Sequence, residues 1–212
     1  MKIKIYIRKT IKLLCWVVSF FYSYSTMRRL RMLKMVLHTY WISSEFKTLG
    51  ENSLIRYPIV LKGAEYISIG KNTGLGERGI LTAWNTYLDN KYSPNITIGD
   101  NTSIGEDYHI TAINKVQIGN NVLMGKKITI TDNTHGKADL NSISSPPAKR
   151  ALCTKGPVII EDGVWIGDKV TILSNVTIGK NSIIGANALV SRNIPANCVA
   201  GGVPAKIIKE IT

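Results

Sequence analysis

The chain has 212 residues, a hydrophobic content of 44% and a net charge of +13, which allows one large domain or a domain with an extension. Its apolar content is that of a globular protein and excludes a disordered chain. The three cysteines, Cys15, Cys153 and Cys198, show no paired metal-like spacing. We interpret them as reduced thiols of a cytoplasmic protein.

Much of the positive charge lies near the N-terminus, ahead of Glu45, the first acidic residue. Nine basic residues precede it: Lys2, Lys4, Arg8, Lys9, Lys12, Arg28, Arg29, Arg31 and Lys34. A basic protein of this size could bind nucleic acid, but no RNP signature, zinc finger or helix-turn-helix pattern is visible. We therefore predict an anionic membrane surface and an anionic cofactor as partners, and no nucleic acid.

Residues 1–50 are predicted to form a basic, amphipathic helical extension. The nearly unbroken apolar run from Leu13 to Tyr22 is too short to span a bilayer, which needs about 20 residues. A signal peptide is the alternative, but the YSYSTM that follows has no small-residue cleavage pattern. The pattern favours peripheral association of residues 1–45 with the inner face of the cell membrane.

A second amphipathic segment follows the apolar run. Its apolar residues share one helical face: Leu30, Leu33, Leu37, Tyr40 and Trp41. This face could lie in the membrane interface, or it could cap the repeats that follow. The sequence leaves both alternatives open.

From about residue 67 an aliphatic residue recurs at every sixth position. The series are Ile69, Leu75, Leu81; Ile98, Ile104, Ile110; Ile118, Met124, Ile130; and Ile160, Ile166, Ile172, Ile178, Ile184, Val190. A period of six is neither that of a helix nor that of an alternating strand. Hexapeptide repeats predict a β-helix, whereas the alternative, an antiparallel sandwich, keeps no fixed period.

Each hexad is interpreted as one side and one corner of a three-sided coil, because six extended residues span roughly 20 Å at about 3.3 Å each. Ile166 then stacks under Ile184, and Ile160 under Ile178. Counting the aliphatic residue as position one, positions one and five are predicted to point inward. Glycine at position two and asparagine at position four suit corners because both tolerate positive φ.

Three segments interrupt the repeats: residues 82–95, an eight-residue spacing from Ile110 to Ile118, and a loop over 136–157. A loop this long in a compact repeat is usually functional. We predict that the interruptions form the acceptor site. The candidate contacts are Trp84, Asn85, Tyr87 and, from a neighbouring coil, His109.

The stretch from Ile118 to Lys209 resembles the hexapeptide-repeat acyltransferases, especially galactoside and maltose acetyltransferases and polysaccharide O-acetyltransferases. The matching pieces are ITDNTH (130–135), VIIEDGVWIGDKVTIL (158–173), VTIGKNSIIGANALVSRNIP (176–195) and AGGVPAKIIKEI (200–211). The resemblance implies a left-handed parallel β-helix over 51–212, with a short C-terminal helix. It further implies a homotrimer with active sites between subunits, acetyl-CoA as acyl donor, and no metal.

The resemblance assigns His135 as the general base, and a pKa near 6.5 suits histidine to activate a hydroxyl. Asp132 could orient the imidazole, or it could simply be an acidic corner residue. The cofactor positions implied are Trp165, Asp168, Ala186, Ser191, Arg192, Lys206 and Lys209. The two lysines are three residues apart and would share one face of the expected C-terminal helix.

These expectations predict an acetyl-CoA-dependent O-acetyltransferase acting on a sugar hydroxyl of a surface polysaccharide or its lipid-linked precursor. A soluble acetyltransferase for a sugar nucleotide, an antibiotic or serine is the alternative. A non-catalytic β-helix scaffold is a third possibility, but its zinc-holding members use several histidines, and this chain has three scattered ones.

Overall fold

The computed structural model describes residues 2–137 and 139–212, and the chain divides into two compact units. The first unit ends at Leu37 and the second runs from His38 to Thr212. The predicted boundary at residue 50 therefore falls inside the second unit. The reason is that the residues just after Leu37 already hydrogen-bond to the first coil, as described below.

The first unit contains α1 (Lys2–Phe21) and most of α2 (Tyr24–Ile42), in agreement with the predicted helical extension. The large apolar side chains of α1 are exposed along its length, from Ile5 to Phe21. Across residues 2–137 and 139–212, no helix is both long enough and apolar enough to cross a membrane.

The second unit consists of short strands. In chain order they are β1 (Thr48–Leu49), β2 (Leu54–Ile55), β3 (Ile59–Lys62), β4 (Ile67–Ile69), β5 (Gly74–Leu75), β6 (Gly79–Ala83), β7 (Thr86–Tyr87), β8 (Asn90–Lys91), β9 (Asn95–Ile98), β10 (Ser103–Ile104), β11 (His109–Ala112), β12 (Lys115–Ile118), β13 (Leu123–Met124), β14 (Thr129–Thr131), β15 (Asn133–His135), β16 (Leu152–Thr154), β17 (Val158–Ile160), β18 (Trp165–Ile166), β19 (Thr171–Ile172), β20 (Val176–Ile178), β21 (Ile183–Ile184), β22 (Leu189–Val190), β23 (Cys198–Gly202) and β24 (Ala205–Glu210). A short helix, α3 (Leu140–Ile143), and three 3-10 turns (Ser43–Glu45, Ala64–Tyr66 and Pro147–Lys149) complete the elements.

Most of these strands form three sheets. Sheet 1 has the order β1-β4-β9-β12-β17-β20, sheet 2 the order β2-β5-β10-β13-β18-β21-β23-β24, and sheet 3 the order β3-β6-β11-β14-β19-β22. The chain visits sheets 1, 2 and 3 in turn, and neighbouring strands are parallel except β23 and β24. This topology is a three-sided parallel β-helix. The predicted stacking is confirmed, since Ile166 pairs with Ile184 and Ile160 with Ile178.

The interior is built from positions one and five of the hexads. The position-one residues of all four series are buried. Of ten residues at position five, nine are buried: Thr73, Thr102, Val122, Ile128, Val164, Val170, Val176, Ser182 and Ala188. Thr134 is the exception: it is exposed because β15 has left the coil to form a hairpin. Inward hydroxyls bond to the backbone, as Thr73 Oγ1 does to the Gly99 carbonyl at 2.7 Å.

The corners confirm one turn prediction and correct another. Six position-four asparagines have positive φ: Asn72, Asn101, Asn121, Asn175, Asn181 and Asn187. No positive φ occurs at the nine glycines of position two: Gly70, Gly76, Gly99, Gly105, Gly119, Gly125, Gly167, Gly179 and Gly185. At eight of these nine, a Cβ would come within 3.0 Å of the adjacent coil. These glycines are therefore required by close stacking of coils, not by φ.

The C-terminal helix was predicted wrongly, because Ala205–Glu210 is a strand, β24, that turns back antiparallel onto β23. The tight turn includes Gly202, whose φ of 99° suits glycine, and the strand carries two β-branched isoleucines. Lys206 pairs with Gly201 and Lys209 with Val199. The two lysines are three residues apart, so in a regular strand they would point to opposite faces of the sheet. The pairing shifts register between Val199 and Ala200, and both lysines therefore lie opposite outward-facing positions of β23.

The end of α2 caps the first coil. Thr39 is buried, and its hydroxyl donates to the Ile55 carbonyl at 3.2 Å and accepts from the Ile55 N–H at 2.9 Å. Phe46 is buried in the core, and Ile42 packs against it. Residues 38–46 therefore close the open end of the solenoid through Thr39, Ile42 and Phe46. The amphipathic face predicted as one possible cap does not do so, because its five residues are all exposed: Leu30, Leu33, Leu37, Tyr40 and Trp41.

Replacing Gly76 with alanine should destabilise the solenoid, because the new Cβ would meet the Gly105 carbonyl of the next coil. Overpacking of this kind costs about 1–3 kcal/mol, so urea unfolding should show a lower midpoint. Gly74→Ala is the matched control, since no atom lies within 4 Å of its added Cβ. Equal losses in the two variants would contradict the stacking explanation.

Candidate active site

Two interruptions of the solenoid meet at one corner, where the chain passes from sheet 3 to sheet 1. The β7–β8 hairpin leaves after β6 and returns at β9, and the 136–157 loop leaves after β14 and returns at β17. Two tyrosines of the first segment join it to the second. Tyr87 Oη donates to the Ala148 carbonyl at 2.8 Å, and Tyr92 Oη bonds to the carbonyl and the N–H of Leu152 at 3.1 and 2.9 Å.

His135 lies at the base of the longer loop, on the β15–β16 hairpin, opposite Leu152. The residue is exposed, because β15 has left the coil to form this hairpin. The Tyr87 ring meets the imidazole edge-on, with the ring centroids 5.3 Å apart. The predicted base and a predicted acceptor contact, 48 positions apart in sequence, are therefore neighbours in the structure.

Trp84 extends this aromatic wall, with its ring centroid 5.8 Å from that of Tyr87. Lys62 Nζ lies 3.3 Å from the centroid of the Trp84 ring, in a cation–π contact. Lys62 was not predicted. It ends β3, in an earlier coil, and nothing in its local sequence signals that the hairpin will fold over it.

A cavity of about 690 Å³ opens beside the histidine. It is lined by Thr134, His135, Gly136, Lys137, Ile143, Arg150, Cys153, Thr154 and Lys155. Its volume is within the range of about 300–1,000 Å³ that small-molecule sites occupy. The 136–157 loop thus forms a binding space next to the candidate base, as expected of a long functional loop.

Asp132 is fully buried and does not lie free to face the histidine. Its carboxylate accepts the backbone N–H groups of Ile113, Asn114 and Lys115 at 2.8–2.9 Å, and the Asn133 amide at 3.0 Å. These three N–H groups belong to the eight-residue spacing after Ile110. The contacts favour the corner alternative, in which Asp132 organises the turn beneath the site.

The two remaining acceptor candidates lie apart from the imidazole. Asn85 Nδ2 donates to Tyr66 Oη at 3.2 Å, which ties the start of the hairpin to an earlier coil. His109 begins β11 on the outer face of sheet 3, whereas His135 follows the far end of the neighbouring strand β14. Partial burial lowers the pKa of His109, which keeps this imidazole neutral near pH 7.

Three of the seven residues predicted to contact the acyl donor lie on sheet 2, namely Trp165, Lys206 and Lys209. Trp165 is 52% exposed and pairs with Leu123, also 52% exposed, on one side and with Ile183 on the other. This apolar column continues through Val199 to Lys209. Leu123 was not predicted, although its outward place in the hexad could have indicated it.

Asp168 and Ala186 lie at the corner between sheets 2 and 3 and are exposed. The Asp168 carboxylate accepts the Lys126 backbone N–H at 2.8 Å. It is therefore turned toward the preceding coil.

Ser191 and Arg192 follow β22, at the same corner as His135, and both are exposed. Ser191 lines a cavity of about 230 Å³ together with Thr134 and Lys155. Ser191 is thus the predicted donor contact that lies nearest to the candidate base.

The predicted site residues therefore occupy three places on the prism: the corner between sheets 3 and 1, the face of sheet 2, and the corner between sheets 2 and 3. His135 and its aromatic wall lie at the corner between sheets 3 and 1, and Trp165 with the two C-terminal lysines lies on sheet 2. The width of sheet 3, roughly 20 Å for six extended residues, separates them. Within residues 2–137 and 139–212, no group of three or more His, Cys, Asp or Glu side chains could hold a metal ion.

Comparison with known proteins places this architecture in a class. Residues 157–192 match the model of the bacterial transferase hexapeptide (six repeats) family. WbbJ of Escherichia coli K12, named a lipopolysaccharide biosynthesis O-acetyl transferase, is 36% identical over 164 residues, which cover 74% of this chain and 78% of WbbJ. The galactoside O-acetyltransferase of the same organism is 33% identical over 175 residues, covering 80% of this chain and 66% of that enzyme.

A solved structure supports the same assignment. The hexapeptide-repeat acetyltransferase VCA0836 from Vibrio cholerae is 25% identical, with a TM-score of 0.60 over 89% of this chain and 90% of that one. The same protein has also been solved with acetyl coenzyme A bound. The fold and these relatives define a hexapeptide-repeat transferase. The chain belongs to the hexapeptide-repeat acyltransferases and is an enzyme of that family.

Replacing Asp132 with alanine should destabilise the protein, because three buried or half-buried N–H groups would lose their acceptor. Each unsatisfied donor costs about 1–3 kcal/mol, so a loss of several kcal/mol is expected in chemical denaturation. Asp89→Ala, an exposed change of the same charge, should cost no more than about 0.5 kcal/mol. A fully stable Asp132→Ala protein that lacks activity would instead support the orienting role.

Proposed function

We propose that this chain is an O-acetyltransferase that moves the acetyl group of acetyl-CoA to a sugar hydroxyl, with His135 as general base. The observation that carries the proposal is the placement of an exposed histidine between an aromatic wall and a cavity of ligand size. Aromatic faces suit sugar rings, and an imidazole can remove a proton from a hydroxyl near neutral pH.

In this mechanism the acceptor oxygen attacks the thioester carbonyl carbon while the His135 imidazole takes the hydroxyl proton. The tetrahedral intermediate collapses by breaking the C–S bond, and the imidazolium returns the proton to the departing sulfur of CoA. The products are the acetyl ester and CoA, and the imidazole is neutral again. No metal is needed, because the thioester is already activated toward attack.

The proposal includes the left-handed coil and the trimer implied by the family. Within one chain, His135 lies one face of the prism away from Trp165, Lys206 and Lys209. A second copy whose sheet 2 lies against the corner bearing His135 would bring the two parts together. In that arrangement Trp165 flanks the pantetheine arm, and the lysines contribute positive charge near the phosphates of CoA. In this arrangement the Asp168 carboxylate has a structural role, because it accepts the backbone N–H of Lys126 in the preceding coil.

His135→Ala should abolish acetyl transfer while the fold, the oligomer and acetyl-CoA binding persist. A general base acts in the transition state, so kcat should fall by about 10²–10⁴-fold. The measurement is CoA release with a thiol reagent, alongside calorimetric binding of acetyl-CoA. Added imidazole should partly restore the variant. A variant that turns over at nearly the wild-type rate would refute the mechanism.

The proposed acceptor is a surface polysaccharide or its lipid-linked precursor, assembled at the inner face of the membrane. Two observations support it: the similarity to WbbJ, and the basic, apolar α1. The second half of α1 is apolar all round and exposed, while basic residues concentrate in its first half. Such a helix suits an anionic interface, where each lysine or arginine contributes roughly 1 kcal/mol.

Removing residues 1–37 should abolish binding to anionic lipid vesicles and leave a folded solenoid. The cut is placed there because Thr39 and Phe46 are part of the second unit. Co-sedimentation should show salt-sensitive binding of the full chain only. A full-length variant with Lys4, Arg8, Lys9 and Lys12 changed to glutamine is the control for charge, and it should bind more weakly. Equal sedimentation of the full and shortened chains would exclude a membrane role for α1.

A further inference from the structure

The cavity beside His135 carries positive charge without an acidic counterpart among its lining residues. Lys137, Arg150 and Lys155 line it, and no Asp or Glu is among the described residues that do so. A neighbouring cavity of about 310 Å³ shares Lys137 and Arg150 and adds Lys149. Four basic side chains of one loop therefore line two neighbouring cavities, and the larger cavity is also lined by His135.

The loop also holds these groups in a defined arrangement. Arg150 Nε donates to the Ser145 carbonyl at 2.7 Å, which directs the guanidinium and leaves its terminal nitrogens for other partners. The arginine packs against Gly136, where a Cβ would come within 3.0 Å of its side chain. The loop's own carboxylate, Asp139, is engaged in capping α3 through the Ser142 N–H at 2.7 Å.

Hydroxyl groups complete the lining. Thr134 and Thr154 contribute to the larger cavity, and Ser142 and Ser145 to the smaller one. The Thr134 and Thr154 hydroxyls already donate to the carbonyls of Gly136 and Gly156, so the donors left for a ligand are the guanidinium and ammonium groups. In a cavity lined by no carboxylate of the described residues, such donors match the oxygens of a phosphate group. A neutral sugar would need aromatic and amide contacts, but it would gain little from four cations.

We propose that this cavity binds the phosphate or diphosphate of the acceptor, so that the sugar acetylated by this enzyme is a phosphorylated one. The inference deepens the proposed function and rests on it. The phosphate would lie toward Arg150 and Lys155, and the sugar would extend to Tyr87 and His135. Two sources share this chemistry: a nucleoside diphosphate sugar and a polyprenyl diphosphate-linked sugar.

The first experiment compares acceptors that differ only in charge. Full-length protein and acetyl-CoA are given hexose 1-phosphates, nucleoside diphosphate hexoses, polyprenyl diphosphate hexoses and the matching methyl hexosides, with the product identified by mass spectrometry. We expect at least one phosphorylated acceptor to exceed its methyl hexoside by roughly tenfold or more in kcat/KM, the size of one lost charge-assisted hydrogen bond. The preferred phosphorylated acceptor identifies the source.

Charge-removing variants then test the residues. Lys155→Gln and Arg150→Gln should each lower kcat/KM for the phosphorylated acceptor roughly tenfold more than kcat/KM for the methyl hexoside, without raising the KM for acetyl-CoA. Lys71→Gln, an exposed change of the same charge at the corner between sheets 1 and 2, is the control. Equal losses on both acceptors, or a raised KM for acetyl-CoA, would overturn the proposal.

A binding measurement separates this inference from the proposed function. Calorimetric titration of hexose 1-phosphate or inorganic pyrophosphate needs no acetyl transfer. We expect binding by the wild type and by His135→Ala, and loss of binding in the Lys155→Gln and Arg150→Gln variants. Absence of binding to the wild type would overturn the phosphate site even if methyl hexosides are acetylated. Binding without any acetylation would instead count against the proposed function.

Discussion

The whole structure depends on the hydrogen bonds that join each coil to the next. At the second position of a hexad, the backbone N–H bonds to the carbonyl of the residue stacked one coil away, as from Gly105 to Met124 at 3.0 Å and from Gly125 to Ile166 at 2.8 Å. Where this position holds glycine, eight of the nine sites lie so close to the next coil that a Cβ would come within 3.0 Å of it. The six-residue period of the sequence thus follows from the packing of one coil on the next, and this packing holds the three sheets in register.

This regularity lets irregular segments carry function. A solenoid presents flat faces and repeated corners, which by themselves make shallow sites. Here two insertions leave the same corner and are fastened together by Tyr87 and Tyr92. Beneath them, Asp132 gathers the backbone of a third irregularity. The rigid coils fix where the insertions begin and end, and the insertions supply the side chains.

The distribution of charge follows a similar division. The N-terminal helices carry basic residues beside exposed apolar ones, and the 136–157 loop gathers a second group around the candidate base. The first group suits an anionic membrane surface, since its basic residues lie on helices that also expose apolar side chains. The second suits a small anion, since it surrounds a cavity and includes an arginine held by the backbone. The net charge of +13 thus includes two separate groups of basic residues, and each group suits a different kind of anionic partner.

The sequence alone determined the three-sided β-helix, its stacking register and its inward positions, because a strict period of six admits few other folds. It also identified the segments that break the period. Tertiary structure decided the features that depend on contacts between distant parts of the chain. It brought Tyr87 to His135, directed the Asp132 carboxylate to the backbone, put Lys62 over Trp84, and made the C-terminal segment a strand. Each depends on residues far apart in the chain, where local pattern carries no information about which surfaces will meet.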